Sequence, residues 1–212
     1  MRLYLSSFLF GNDPEWLKTF CGSRRQVALI LNALDHNEAS RVAFLQSQSK
    51  TLETLGFSVV EIDLREFFGK PEQLADALRA VEVLWVNGGN TFILRRAMRQ
   101  SGFDVVALPL IQNGLLLYGG FSAGCAVLHP DLHGIELSDD PVLVPEFYQR
   151  ETIWEGLGLL KFHLAVHYNS DHPASHSTDR EIEFYKSTGR SFKPLRDGEV
   201  ILVDGVKVTQ LS

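Results

Sequence analysis

Residues 116–128 read LLYGGFSAGCAVL. An apolar run suited to a buried strand ends in Gly-Phe-Ser-Ala-Gly, and small, helix-compatible residues follow at once. A serine on a sharp strand-to-helix turn has its hydroxyl held out at the strand end, where the crowded backbone admits only small neighbours. Gly120 and Gly124, two residues to either side of Ser122, meet that demand. The strand–turn–helix context, more than the five-residue pattern, makes Ser122 a candidate nucleophile.

The same alternation extends outward. Apolar stretches at 3–10, 26–31 (QVALIL) and 83–86 (VLWV), and an alternating stretch at 57–64, read as strands. Between them, 14–21, 37–55, 71–81, 91–100 and 104–113 read as helices, the last despite Pro109. Asp13 stands where a cap belongs, with Pro14 at the first helical position. Val42, Leu45, Leu52 and Leu55 fall on related faces of the second helix, which Gly56 ends. Apolar strands alternating with amphipathic helices imply a parallel sheet covered on both faces, with sites at the carboxyl ends of its strands. Two glycine-rich breaks, Gly88-Gly89 and Gly119-Gly120, fall there. Beyond 128 the pattern becomes irregular. Residues 129–150 read as a long loop or lid, 159–168 as a strand, 178–186 as a charged helix and 199–211 as a C-terminal β-hairpin turning at Asp204-Gly205.

A chain of 212 residues that is 45% hydrophobic buries a large core without staples, so a single domain over 1–212 is expected. A net charge of −6 offers no basic footprint for nucleic acid and no polybasic patch for a membrane. Cys21 and Cys125 have neither CxxC nor zinc-site spacing, which suits a reduced, cytoplasmic protein. The apolar segment 1–10 runs into Gly11-Asn12-Asp13-Pro14-Glu15 instead of a cleavage site, so it reads as the first strand. No apolar run reaches the length of a membrane helix.

A serine hydroxyl needs a base, a group that orients the base, and donors for the oxyanion. Of seven histidines, four crowd into 163–176: His163, His167, His172 and His176. His167 is the best placed, because it follows a strand-like run and so falls at a strand end; the other three stay open. The same cluster invites a metal, but a strand and a loop do not set His163 and His167 on one face, and no HExxH pattern is present, so no metal is called for. Ala123, the residue after the serine, offers one oxyanion N–H; Gly88 or Gly89 offers a second, with Asn90 capping the helix that starts at Thr91. Cys125, three residues past the serine, reads as a buried structural thiol.

Three stretches resemble the peptidase E family, the serine peptidases typified by aspartyl dipeptidase. Gly88-Gly89-Asn90-Thr91-Phe92 with Leu94 is similar to the family's GGNTFxL segment, residues 118–124 (YGGFSAG) to its nucleophile turn, and His167-Tyr168-Asn169 to its histidine segment. The resemblance implies a three-layer α/β/α fold with a mostly parallel sheet, like class I glutamine amidotransferase domains. It implies Ser122 as nucleophile, His167 as base, and cofactor-free hydrolysis of small peptides with an N-terminal aspartate through an acyl-enzyme, by a monomer or homodimer. Two acids match family positions: Asp197, where the family type has glutamate, and Asp139, nearer the serine. Asp197 is preferred because it precedes a strand that can fix it. Arg180 resembles the family's Thr-Arg position, where a guanidinium would receive the substrate carboxylate beside Asn90, although Asp179 and Glu181 flank it. The long acidic segment 129–150 departs from the type member. Two rivals remain: an esterase-type α/β-hydrolase, whose serine–acid–histidine order Ser122, Asp139 and His167 would satisfy, and a non-catalytic amidotransferase-like scaffold.

Overall fold

A computed structural model describes residues 1–212. The apolar runs form β1 (Arg2–Ser6), β2 (Gln26–Ile30), β3 (Ser58–Glu61), β4 (Val83–Val86) and β5 (Leu117–Phe121). The helices are α1 (Glu15–Cys21), α2 (Glu38–Thr54), α3 (Pro71–Leu78), α4 (Thr91–Ser101), α5 (Phe103–Gln112), α6 (Ala123–Ala126) and α7 (Ser175–Ser187). The C-terminal strands are β6 (His163–Ala165), β7 (Phe192–Pro194), β8 (Val200–Asp204) and β9 (Lys207–Leu211). Seven strands make one sheet in the order β3-β2-β4-β5-β1-β8-β9. The first five are parallel and the last two, a hairpin, are antiparallel. The strand expected over 159–168 shrinks to β6, which pairs with β7 in a separate two-stranded sheet.

Each central strand is buried on both faces, which is why its sequence is a continuous apolar run. Leu3, Leu5, Ala28, Ile30, Leu84 and Val86 face one core, filled by α3, α4 and α5. Tyr4, Val27, Leu29, Val83 and Trp85 face the other, against α1 and α2. The result is the three-layer α/β/α arrangement.

Three local expectations change. Helix α2 buries Arg41, Gln48 and Leu52, while Val42 is exposed. Polar partners explain this phase: Gln48 accepts the Trp85 indole N–H at 3.0 Å, and Arg41 sits among Asp35, Glu61 and Asp63. Gly119 and Gly120 lie inside β5 instead of breaking the chain after it. Their role is to clear space, since a Cβ on Gly119 would sit 2.7 Å from the Trp85 ring and one on Gly120 2.8 Å from the Val86 carbonyl. Residues 129–150, read as a loop or lid, are irregular apart from a short 3₁₀ turn at Ile135–Leu137, yet they are bonded to the body. The fully buried Arg96 guanidinium donates to the carbonyls of Pro141 and Glu151 and to the Thr152 hydroxyl. The Tyr148 hydroxyl bonds the Asp35 carboxylate.

Candidate active site

Strands β4, β5 and β1 are neighbours, so their carboxyl ends share one rim of the sheet. Val86 pairs with Gly120, and Ser6 pairs with Phe121. One or two steps past those pairs stand Gly88, Ser122 and Ser7. Ser122 has φ 51° and ψ −116°, a backbone that a residue with a side chain rarely adopts. Gly124 lets the turn lie against β4, since a Cβ there would fall 2.3 Å from the Val86 carbonyl. The turn is therefore held by the neighbouring strand, and Ser122 absorbs the strain.

The Ser122 hydroxyl lies 3.1 Å from His167 Nε2, and Asp197 Oδ1 lies 2.7 Å from His167 Nδ1. A carboxylate at Nδ1 fixes the proton there and leaves Nε2 as acceptor for the serine. His167 is also in the positive-φ region, at 60°. Ser7 holds it: the fully buried Ser7 Oγ accepts from His167 N–H at 2.8 Å and lies 2.8 Å from Asp197 Oδ1, to which it donates. The Ser170 hydroxyl accepts the Asp197 N–H at 2.9 Å. Burial alone would raise Asp197, but the hydrogen bonds from His167 and Ser7 outweigh it and keep the carboxyl below its ordinary range. The His172 ring stacks on His167 with centroids 3.7 Å apart, and burial, then the His167 charge, depresses its own basicity.

The N–H groups of Gly88, Gly89 and Ala123 have no acceptor within the protein. Gly88 lies beside the serine, where a Cβ would meet Ser122 Cβ at 3.0 Å, and Gly89, at φ 141°, has its backbone against Ala33. Asn90 is occupied elsewhere: Oδ1 accepts Ile93 N–H at 3.0 Å as the α4 cap, and Nδ2 donates to Asp140 O at 2.9 Å. It does not line the cavity at Ser122, whereas Thr91 does.

That cavity holds about 240 Å³ and brings Gly88, Gly89, Ser122, Ala123 and His167 together, with Asp139, Glu181 and His172 on its walls. Asp139 accepts Thr91 N–H at 2.8 Å and does not reach His167 Nδ1, which Asp197 occupies. Arg180 does not line the cavity; it is exposed and donates to Leu137 O at 2.7 Å. Its neighbour Glu181, 3% exposed, faces inward and bonds the Ser138 hydroxyl. Burial, then repulsion from Asp139 and Glu136, pushes the Glu181 carboxyl up to about 8, against the opposing Ser138 bond. His163 and His129 are packed in the interior with ring centroids 5.0 Å apart, and His176 is exposed. The Cys125 thiol is fully buried, donating to Ser6 O and Gly120 O at 3.2 Å.

Ser7 and Glu181 were not singled out from the sequence as site residues, and His172 was named only as one of four candidate histidines. The available signal for Ser7 was its place at the end of the first strand, but its meaning depends on β1 lying beside β5. For Glu181 the signal was spacing: three residues after Thr178, it shares a helical face with it.

A strand-end serine facing an imidazole–carboxylate pair, with free backbone donors beside it, is the frame of a serine hydrolase. Residues 11–211 match the peptidase family S51, and the chain belongs to that family. It is therefore a serine peptidase. It is 31% identical over 172 residues to "Uncharacterized peptidase Lin0382" of Listeria innocua, covering 81% of this chain and 78% of that one. It is 32% identical over 149 residues to a Drosophila melanogaster protein named "Probable alpha-aspartyl dipeptidase", covering 68% of this chain and 58% of that one. The crystal structure of a Listeria monocytogenes EGD-e protein assigned to peptidase E superposes with a TM-score of 0.81 at 27% identity, covering 99% of this chain and 97% of that one.

Proposed function

We propose that the protein hydrolyses short peptides, dipeptides foremost, by acyl transfer through Ser122, with His167 as base and Asp197 as its orienting acid. The observation that carries this is the pair of contacts made by one imidazole, 3.1 Å to Ser122 Oγ and 2.7 Å to Asp197 Oδ1. Ser122 Oγ attacks the peptide carbonyl while its proton passes to His167 Nε2. The oxyanion forms against the N–H groups of Ala123 and Gly88 or Gly89. His167 then gives the proton to the leaving amine, the C–N bond breaks, and an ester remains on Ser122. Water, deprotonated by His167, attacks the ester; the acid leaves and the serine regains its proton. A cavity of about 240 Å³ suits one or two residues of a peptide.

The chain order serine, histidine, acid speaks against the esterase-type rival, whose histidine comes last. The Drosophila relative's name makes Asp-X dipeptides the first substrates to assay. A fluorophosphonate probe should label the wild-type protein on Ser122, and Ser122→Ala should abolish both labelling and dipeptide hydrolysis. Turnover that survives Ser122→Ala, or a folded wild type that takes no label, would leave the scaffold reading in its place.

A further inference from the structure

The charged and titratable side chains that line the Ser122 cavity are Asp139, Glu181, His167 and His172; no lysine or arginine is among them. His167 is committed to Ser122 and Asp197, and His172 is stacked on it. The acidic groups left to meet the rest of the substrate are therefore two carboxyls, set among apolar side chains such as Leu34, Phe44 and Ile135. Asp139 is held by Thr91 N–H, on the segment that also carries Gly88 and Gly89, so its carboxylate is fixed beside the reacting atoms. Glu181 enters from α7, whose Thr178 is tied by its hydroxyl to Val166 O, one residue before His167. The cation expected to receive an acidic side chain, Arg180, is on the outer side of the same helix and bonds Leu137 O.

A substrate carboxylate entering this cavity would be desolvated beside two carboxyl groups with no counter-charge, which costs affinity. A substrate bearing positive charge meets the opposite situation: it supplies the counter-charge that lets the buried carboxyls ionise. An N-terminal lysine or arginine carries two cations, its α-ammonium and its side chain, against the two carboxyls. Resting on the acyl-transfer reading of Ser122, we infer that Asp139 and Glu181 form a carboxyl receptor for a basic N-terminal residue, whose cation draws the proton off Glu181 as it binds, so that the peptidase prefers Lys-X or Arg-X over Asp-X dipeptides. Glu181 is the specificity-determining residue of this pair, because Asp139 is already held by Thr91 N–H while Glu181 meets only the Ser138 hydroxyl and the cavity.

The experiment compares kcat/KM for Lys-Ala, Ala-Ala and Asp-Ala on the full-length protein, and in parallel measures how L-lysinamide and L-aspartic acid α-amide slow fluorophosphonate labelling of Ser122. Lys-Ala should lead Asp-Ala by about 100-fold, and lysinamide should protect Ser122 where the aspartic amide does not. Glu181→Gln, which keeps the shape and the bond to Ser138, should lower the Lys-Ala to Ala-Ala ratio about tenfold. Asp-Ala cleaved as well as Lys-Ala, or protection by the aspartic amide alone, overturns the inference while leaving Ser122 as nucleophile. Protection without turnover of any of the three peptides still decides the preference. Absence of labelling overturns the acyl-transfer reading itself, and the inference with it.

Discussion

One hydroxyl outside the expected triad organises the site. Ser7 joins the His167 main chain to the Asp197 carboxylate, so it fixes the imidazole from behind and helps keep the acid ionised. Removing a hydrogen bond to a charged group costs about 1.5–3 kcal/mol, which in a transition state is roughly 10–100-fold in rate. Ser7→Ala should therefore lower kcat by that factor with little change in KM. Asp197→Asn should cost more, roughly 10³–10⁴-fold, because the amide favours the wrong imidazole tautomer. Asp139→Asn should act on KM instead, since its carboxylate meets Thr91 N–H and the cavity but not Nδ1. Steady-state kinetics on the three variants side by side separates these roles; a kcat collapse in Asp139→Asn with a mild effect in Asp197→Asn would exchange the two acids.

Strands, caps and turns were readable because each is set by local chemistry. Val83–Val86 is a strand for its unbroken apolar run, and Asn90 caps α4 as its side chain predicts. What local patterns do not contain is which strand lies beside which: β1 next to β5 places Ser7 at the serine, and nothing within residues 1–10 says so. Helix phase near charges was equally hidden, since α2 turns Arg41 inward on account of acids at 35, 61 and 63. Residues 129–150 were legible as a loop, but what holds them was not, because their anchors come from α4. Arg96 satisfies carbonyls of Pro141 and Glu151 that no strand or helix would satisfy. Arg96→Ala should destabilise the protein by roughly 3 kcal/mol and open residues 139–152 to limited proteolysis. A resistant segment with an unchanged unfolding midpoint would mean that the anchor lies elsewhere.

At the scale of the whole molecule, pH acts through two carboxyl groups at the Ser122 site, Glu181 and Asp197, which shift in opposite directions. Glu181 titrates at about 8 in the folded protein against an ordinary 4.5, because burial disfavours its anion. Between those values the folded state binds the extra proton, so stability falls as pH rises, at up to about 1.4 kcal/mol per pH unit. Asp197 works the other way: its contribution is present above the ordinary aspartate value and is lost as pH falls through its lowered folded value. Glu181→Gln should thus flatten the loss of stability between pH 5 and pH 8, by roughly 3 kcal/mol over that range. Urea unfolding at the two pH values measures it; parallel curves for wild type and variant would show that Glu181 is ionised at neutral pH.

The most direct test is to trap the ester. Wild-type protein quenched during turnover of an activated dipeptide ester should carry the acyl mass on the peptide containing Ser122, and His167→Ala should not accumulate it. Continued turnover with no adduct on Ser122, or an adduct on another residue, would contradict the assignment of Ser122 as the nucleophile.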